Sequence, residues 1–226
     1  MAERTLNHYA FFSFTEAYWA LDTDERATFR TSFLAGLRDA ATQVDVYQVF
    51  PARAENDFVV WSAVPADEGC SAASFFEAFA RAVNPHRRLV RPTSTLWGFT
   101  RPSQYSKGRS PQEIDPFSTE RKRYLVGYPF VKTMDWYLMS RDARQGMMNE
   151  HIRVGHQYPE IKQLLLYSFG LQDQEFIVVY ETDDLPMFSD LVNDLRATEA
   201  RRYTQRDTPI FAAVFHPAET TLGLWE

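Results

Sequence analysis

Apolar positions along this chain recur with two periods, every second residue and every third or fourth, and stretches of the two kinds alternate in a fixed order. Tyr9 to Phe14 is a short aromatic run and predicts a strand. Asp22-Thr23-Asp24-Glu25 then supplies a capping Asp and first-turn acids, and Phe29, Phe33 and Leu37 follow at four-residue spacing, so a helix starts at Asp22. Val44 to Phe50 alternates as a strand does. Asp57 to Trp61 is a second β-branched and aromatic run. Ser71 to Val83, with Phe75, Phe76 and Phe79, has helical spacing, and Leu89 to Phe99 predicts a strand, or a strand pair, broken at Pro92. The order is β-α-β-β-α-β.

The stretch 101–122 breaks the pattern. Pro102, Gly108, Pro111 and Pro116 interrupt it and Ser103, Ser106 and Ser110 polarise it, so it reads as a linker or a long functional loop. The first order then returns. Arg123 to Pro129 is a strand, Ser140 caps a helix running to about Gln157, and Ile161 to Ser168 is a strand. After a turn at Gly170 to Asp173 come a strand from Glu175 to Glu181, a helix from Leu185 to Glu199 and a strand from Ile210 to Phe215. Asn56-Asp57-Phe58-Val59-Val60-Trp61 is echoed by Gln174-Glu175-Phe176-Ile177-Val178-Val179-Tyr180. We therefore expect an α+β fold of two ferredoxin-like β-α-β-β-α-β repeats in one chain, divided as 1–100, a linker at 101–122, and 123–226. Helices cover one face of each sheet. The other faces must be buried, most simply by packing the two sheets together within the chain.

Composition narrows the function. With 45% hydrophobic and 15% aromatic residues in 226, the chain can build a real core. Its formal charge of −6 argues against a nucleic-acid partner, which calls for a strongly basic face. The single Cys70 excludes a disulfide framework and a cysteine-rich metal centre. No secretory leader pattern and no apolar run long enough to span a bilayer is present, so a cytoplasmic protein without a membrane span is expected.

His151 is the residue with the most distinctive setting. On a helix, Met147, Met148, Val154 and Gly155 share its face. A lone imidazole among methionines and small residues either packs and hydrogen-bonds or serves as an axial ligand to haem iron, for which an apolar wall and room for a flat macrocycle are needed. Gly155 leaves a gap one turn away, which suits either a macrocycle edge or close helix–sheet packing. His156, off that face, reads as a surface residue or as one that supports the site from behind.

Four ordered motifs resemble the chlorite dismutase family, and within it the coproheme decarboxylase branch of haem biosynthesis. They are Tyr128-Pro129-Phe130-Val131-Lys132 with Trp136-Tyr137, then Met147-Met148-Asn149-Glu150-His151, then Ser168-Phe169-Gly170-Leu171-Gln172-Asp173, and Leu195 to Tyr203. The resemblance covers roughly 123–215; the first half is similar in architecture. It implies an enzyme of the dimeric α+β barrel type, assembled as a homo-oligomer, most often a pentamer. The half 123–226 would bind haem, as coproheme or haem b, and 1–100 would be structural and interfacial. His151 would be the iron ligand, with Met147, Met148, Gly155 and Trp136 around the cofactor. Its second ring nitrogen needs a carboxylate or carbonyl partner, for which Glu199 is the candidate.

The resemblance also implies a reaction. Coproheme decarboxylases convert two propionates of coproheme to vinyl groups with hydrogen peroxide. Tyr128 would pass an electron and a proton and then take a hydrogen from the propionate β-carbon, and Lys132 would hold a propionate carboxylate. Gln163 falls at the distal position. Chlorite-dismutating members carry arginine there, so the neutral amide disfavours chlorite. Lys122-Arg123, Arg201-Arg202 and Arg206 are candidates for the basic patch that a tetracarboxylate needs. The turn reads Leu-Gln-Asp where the family has Leu-Asp-Asp, and the 101–122 loop lacks the distal histidine of another branch. Read without the resemblance, Tyr128 is a half-buried strand-end tyrosine, Lys132 a solvated lysine and Trp136 a core tryptophan. The alternatives are a haem peroxidase or chlorite-degrading enzyme, a non-enzymatic haem carrier or sensor, and a member that binds no haem.

Overall fold

A computed structural model describes residues 4–66, 72–105, 108 and 110–226. Cys70, Ser71 and Ser106 lie outside the described residues. In the first half the strands are β1 (Thr5–Phe14), β2 (Gln43–Gln48), β3 (Phe58–Pro65) and β4 (Val90–Thr100), and the helices are α1 (Glu16–Trp19), α2 (Thr23–Ala40) and α3 (Ala72–Val83). The second half contains β5 (Tyr124–Lys132), α4 (Met134–Leu138), α5 (Arg141–Gly155), β6 (Lys162–Tyr167), β7 (Phe176–Thr182), α6 (Leu185–Arg196), β8 (Thr204–Arg206), β9 (Phe211–Phe215) and α7 (Ala218–Gly223).

Local chemistry accounts for most boundaries. Asp22 accepts from the Glu25 N–H at 2.9 Å while the Glu25 side chain accepts from the Asp22 N–H, a capping box that contributes about 1 kcal/mol to α2. Phe29, Phe33, Leu34 and Leu37 are all buried on its inner face. Pro92 does not split β4. Over that stretch β4 pairs only with β1, and the register slips between Phe11 and Phe12, so the missing N–H costs no ladder bond on the free edge. Asp184 caps α6, which stops at Arg196 short of the expected Glu199, where a 3-10 turn (Glu199–Tyr203) takes over.

The expected α+β fold of duplicated ferredoxin-like units is present, and the two sheets do more than pack together. They join edge to edge. Tyr47 and Gln48 pair with Phe215 and Val214, and Phe99 and Thr100 pair with Tyr167 and Leu166. The strand order β7-β6-β4-β1-β3-β2-β9-β5 closes through β5–β7 into an antiparallel barrel, with β8 added at the end of β5. Alternate residues of both halves fill its interior: Tyr9, Phe11, Val59 and Trp61 meet Leu125, Leu164, Leu166, Ile177 and Val179. Ile114 enters the same core at 1% exposure, so the 101–122 segment packs into the barrel. Arg121, with no side-chain exposure, pairs there with Asp45 at 2.9 Å and lies 3.7 Å from Glu181. The outer faces carry the helices. Among the described residues, no helix is long and apolar enough to cross a membrane.

Candidate functional site

The helix α5 differs from its counterparts. Helices α2, α3 and α6 each bury aromatic or aliphatic side chains against the sheet, whereas α5, fifteen residues long, buries none. Ser140 caps it as expected, accepting from the Ala143 N–H at 3.2 Å. Its apolar side, Met147, Met148, Ile152, Val154 and Gly155, stays half-exposed. A Cβ placed on Gly155 would meet no atom within 4 Å. The unit β5-α5-β6, with β7 between its strands, lays α5 over the outer face of the sheet.

That outer face is apolar and only partly covered. Phe130 stacks on Phe176 at 4.6 Å between ring centres, and Tyr167 meets Phe176 edge-on at 5.4 Å. Leu165 remains 37% exposed. Phe188 and Leu191 of α6 cover the adjacent strip of Val126, Val178 and Tyr180. Half-exposed apolar residues of α5 and of the sheet thus outline a candidate cleft between them.

His151 faces a desolvated environment. Burial, reinforced by the Lys132 charge and opposed by Glu150, lowers its pKa to about 4. At neutral pH the imidazole is uncharged and has a lone pair for a metal. Among the described residues, no group of three His, Cys, Asp or Glu side chains could hold a bare ion. Haem iron needs only one imidazole from the protein, an apolar wall and a slot, and these residues fit that requirement.

Lys132, expected to hold a propionate carboxylate, is engaged by the 200–204 segment. Its Nζ donates to Thr204 Oγ1 at 3.2 Å and to the Ala200 carbonyl at 3.3 Å, and lies 4.6 Å from the centre of the Trp136 ring. Burial, with the Arg201 charge added and Glu175 opposing, lowers its pKa to about 8. Its charge acts on His151, so Lys132 and Trp136 belong to the His151 side of the cleft. Trp136 is 4% exposed and flanked by Tyr203 and Tyr105, a core residue at the cleft's end. Glu199, the candidate partner of His151, makes other contacts. Its carboxylate pairs with Arg202 at 3.4 Å, and its N–H donates to Glu150 at 3.0 Å. His156 is an exposed residue at the end of α5, as expected.

Tyr128 stands on the outer face of β5, its ring 6.2 Å from that of Tyr180. Burial raises its pKa, partly offset by a hydrogen bond with Tyr180, so the phenol stays protonated. Asp207, Arg196 and Arg201 act on it electrostatically. Gln163 is exposed on the outer face of β6, opposite Tyr180 in the β6–β7 register.

The structure therefore forms two groups, His151 with Lys132 and Trp136, and Tyr128 with Tyr180 next to Gln163. Arg201 acts on both Tyr128 and Lys132. Arg196 and Arg201 share the single carboxylate of Asp207 at 3.2 and 2.8 Å. Three of the other basic candidates are engaged elsewhere, Arg202 with Glu199 as described. Lys122 pairs with Asp183 at 2.7 Å and Arg206 reaches the Asp173 carbonyl at 3.4 Å. Arg196 and Tyr180 escaped the sequence reading because each falls on an ordinary helix or strand position with no local signal.

Known proteins share this chain's sequence pattern and fold. The sequence pattern of the chlorite dismutase family fits residues 13–215, well beyond the 123–215 stretch in which the motifs lie. The chain belongs to the chlorite dismutase family. It is 32% identical over 192 residues to the coproheme decarboxylase of Mycolicibacterium smegmatis, covering 83% of this chain and 78% of that protein. The chlorite dismutase from Candidatus Nitrospira defluvii, solved in complex with imidazole, superposes with a TM-score of 0.86 at 21% identity, over 98% of this chain and 94% of that one. That likeness establishes the fold. Membership in the chlorite dismutase family sets the chain among enzymes, and the family barrel agrees with the closed antiparallel sheet described above.

Proposed function

We propose that this protein is a haem-binding enzyme that removes carbon dioxide from propionates of coproheme, using hydrogen peroxide, to give protohaem. The observation that carries the reading is a neutral, desolvated His151 on a helix that, unlike α2, α3 and α6, buries no side chain and leaves open space at Gly155. Similarity to a coproheme decarboxylase over most of both chains supports the choice of reaction.

When bound, the iron porphyrin supplies the oxidising capacity of hydrogen peroxide. For each arm, peroxide is reduced to water while the propionate loses carbon dioxide and two hydrogens. His151 would hold the iron, and burial, reinforced by the Lys132 charge, keeps that imidazole neutral and available. Met147, Met148 and Gly155 give the macrocycle an apolar, open face. Tyr128, held protonated by burial, passes an electron and its proton and then takes a hydrogen from the β-carbon of the propionate. Arg201 and Arg196, two cations on one carboxylate, leave positive charge beside Tyr128 for the propionate. Gln163 offers a neutral amide on the far side of the cleft, which favours peroxide over an anion such as chlorite. Met134 and Leu138 on α4 and Phe169 and Leu171 on the 168–171 turn are exposed apolar residues on two elements joined by the Tyr137–Phe169 ring contact at 6.2 Å, and they support a homo-oligomer.

The test is direct. Purified protein is mixed with coproheme and peroxide, and product masses and the Soret band are followed. Stepwise loss of carbon dioxide is expected, His151→Ala should abolish the Soret band, and Tyr128→Phe should retain it while stopping decarboxylation. An intact tetracarboxylate after peroxide treatment would sink the reaction. Oxygen released from chlorite would favour the chlorite-degrading reading, and a Soret band without turnover would favour a carrier.

A further inference from the structure

One side chain from the 101–122 segment reaches both walls of the cleft, and the proposed chemistry does not use it. The Gln112 amide nitrogen lies 2.9 Å from the Tyr158 carbonyl, 3.1 Å from that of Ile161 and 3.3 Å from that of Gly155. Those three carbonyls mark the turn from α5, which bears His151, into β6, which bears Gln163. The backbone of the same residue holds Gln163 itself. The Gln163 N–H donates to the Gln112 carbonyl at 2.7 Å, and the Ile114 N–H donates to the Gln163 carbonyl at 3.0 Å. Glu113 is thereby bridged in parallel to Gln163. Two residues on, Ile114 is seated in the barrel core and anchors the segment from within.

We propose that Gln112 is a positioning residue that ties the end of α5 to the strand carrying Gln163 and so sets the height of the cleft between them. This rests on the haem reading above, because that height matters only if a macrocycle lies between His151 and Gln163. The physical case is one of supply and demand among backbone groups. The Gly155 and Tyr158 carbonyls each accept one bond within the turn, from the Tyr158 and Ile161 N–H groups at 3.1 Å, and each keeps a second lone pair for an outside donor. A primary amide has two N–H groups and can be shared among the three carbonyls that converge on it. Without those donors, the turn from Gly155 to Ile161 keeps its anchor to α6, where the Tyr158 hydroxyl donates to Asp194 at 2.6 Å, but loses its direct tie to the segment that holds Gln163. The α5 helix buries no side chain against the sheet; its other ties run to the 199–203 turn, where Glu150 accepts from the Glu199 N–H, and to the Tyr105 carbonyl through Gln145, none of them to the strand carrying Gln163.

The test uses two replacements of similar reach. Gln112→Glu keeps the volume and removes the donors. Gln112→Lys supplies three N–H groups to the same carbonyls. In haem-loaded protein, cyanide probes the face opposite His151, where the Gln163 amide would hydrogen-bond it. In Gln112→Glu, cyanide should dissociate about tenfold faster, the loss of one well-placed hydrogen bond. The Soret position of the cyanide-free protein should not change, because His151 still binds iron. Backbone amide exchange at Gln163 and Ile114 should rise about tenfold in the same variant, and Gln112→Lys should restore both quantities. A merely structural role would lower the melting midpoint without moving cyanide release. Wild-type cyanide kinetics and exchange in Gln112→Glu overturn the proposal, as does a lysine variant as impaired as the glutamate. If the unaltered protein shows no Soret band, the haem reading fails, and exchange in the ligand-free chain then upholds or overturns the clamp by itself.

Discussion

Filling the space at Gly155 offers a sharp probe of the cleft. A Cβ there meets nothing within 4 Å, and the residue shares the His151 face of α5. Gly155→Ala should therefore cost nothing sterically in the ligand-free protein. It should stabilise the last turn of α5 by about 0.5–1 kcal/mol, the usual gain when alanine replaces a helical glycine. Gly155→Leu should likewise fold, because its added carbons enter open space. In the haem-bound protein that space belongs to the macrocycle, and overpacking costs about 1–3 kcal/mol. At 1.4 kcal/mol per tenfold, haem should bind roughly tenfold to a hundredfold more weakly to the leucine variant. Thermal unfolding with and without haem, together with a Soret titration, separates the two effects. The reasoning fails if Gly155→Leu folds normally and binds haem with unaltered affinity, or if Gly155→Ala destabilises the free chain.

Three further outcomes are expected. His8 is 4% exposed among Phe75, Phe76 and Phe79, its Nδ1 lacks a hydrogen-bond partner, and burial lowers its pKa from 6.5 to about 4. Between those values the unfolded chain binds a proton that the folded one refuses, so His8 costs stability as pH falls and has no effect above neutrality. The cost reaches about 3 kcal/mol near pH 4. Burial raises the pKa of Glu181 and gives an opposite slope, so the informative quantity is the stability difference between wild type and His8→Leu in urea unfolding at pH 7.5 and 4.5; a constant difference would refute the assignment. Gly98→Ala would bring a Cβ to 2.6 Å from Ser168 Oγ and 2.8 Å from the Tyr167 carbonyl, at the seam that joins β4 to β6. It should cost about 1–3 kcal/mol and lower the melting midpoint by several degrees, and an unaltered midpoint would show that the seam yields freely. Arg201→Ala removes the cation that acts on both Tyr128 and Lys132. It should weaken coproheme binding about fivefold to tenfold and haem b, with fewer carboxylates, by less; equal losses for the two porphyrins would count against a propionate role.

Local chemistry made much of the fold legible in the sequence. The cap at Asp22 and the Phe29-Phe33-Leu37 stripe specify α2 because the groups involved are only a few residues apart. The echo between Asn56–Trp61 and Gln174–Tyr180 marks β3 and β7, each a strand paired on both sides in its half, and doubling follows from it. Short elements were harder. Helices α1, α4 and α7 span six residues or fewer, and β8 only three, too few for a period to emerge. Pro92 looked like a break because a sequence does not say which edge of a strand is free.

The candidate site divides the same way. Its residue types were readable: an imidazole among methionines and small residues on one helix face, a tyrosine near a strand end, and an amide in place of a cation at position 163. Their assembly was not. Whether Lys132 faces a substrate carboxylate or His151 depends on Thr204 and Ala200, more than sixty residues away. Whether Glu199 serves His151 depends on its nearer contacts with Arg202 and Glu150.

Periodicity, capping and internal duplication are properties of neighbouring residues, so the chain alone specified two β-α-β-β-α-β units and the chemistry each could offer. Barrel closure, the cleft under α5, and the grip of Gln112 on both of its walls arise from edges and carbonyls that meet only after the chain has folded. A backbone group has no preferred distant partner until packing presents one, and that decision belongs to the tertiary structure.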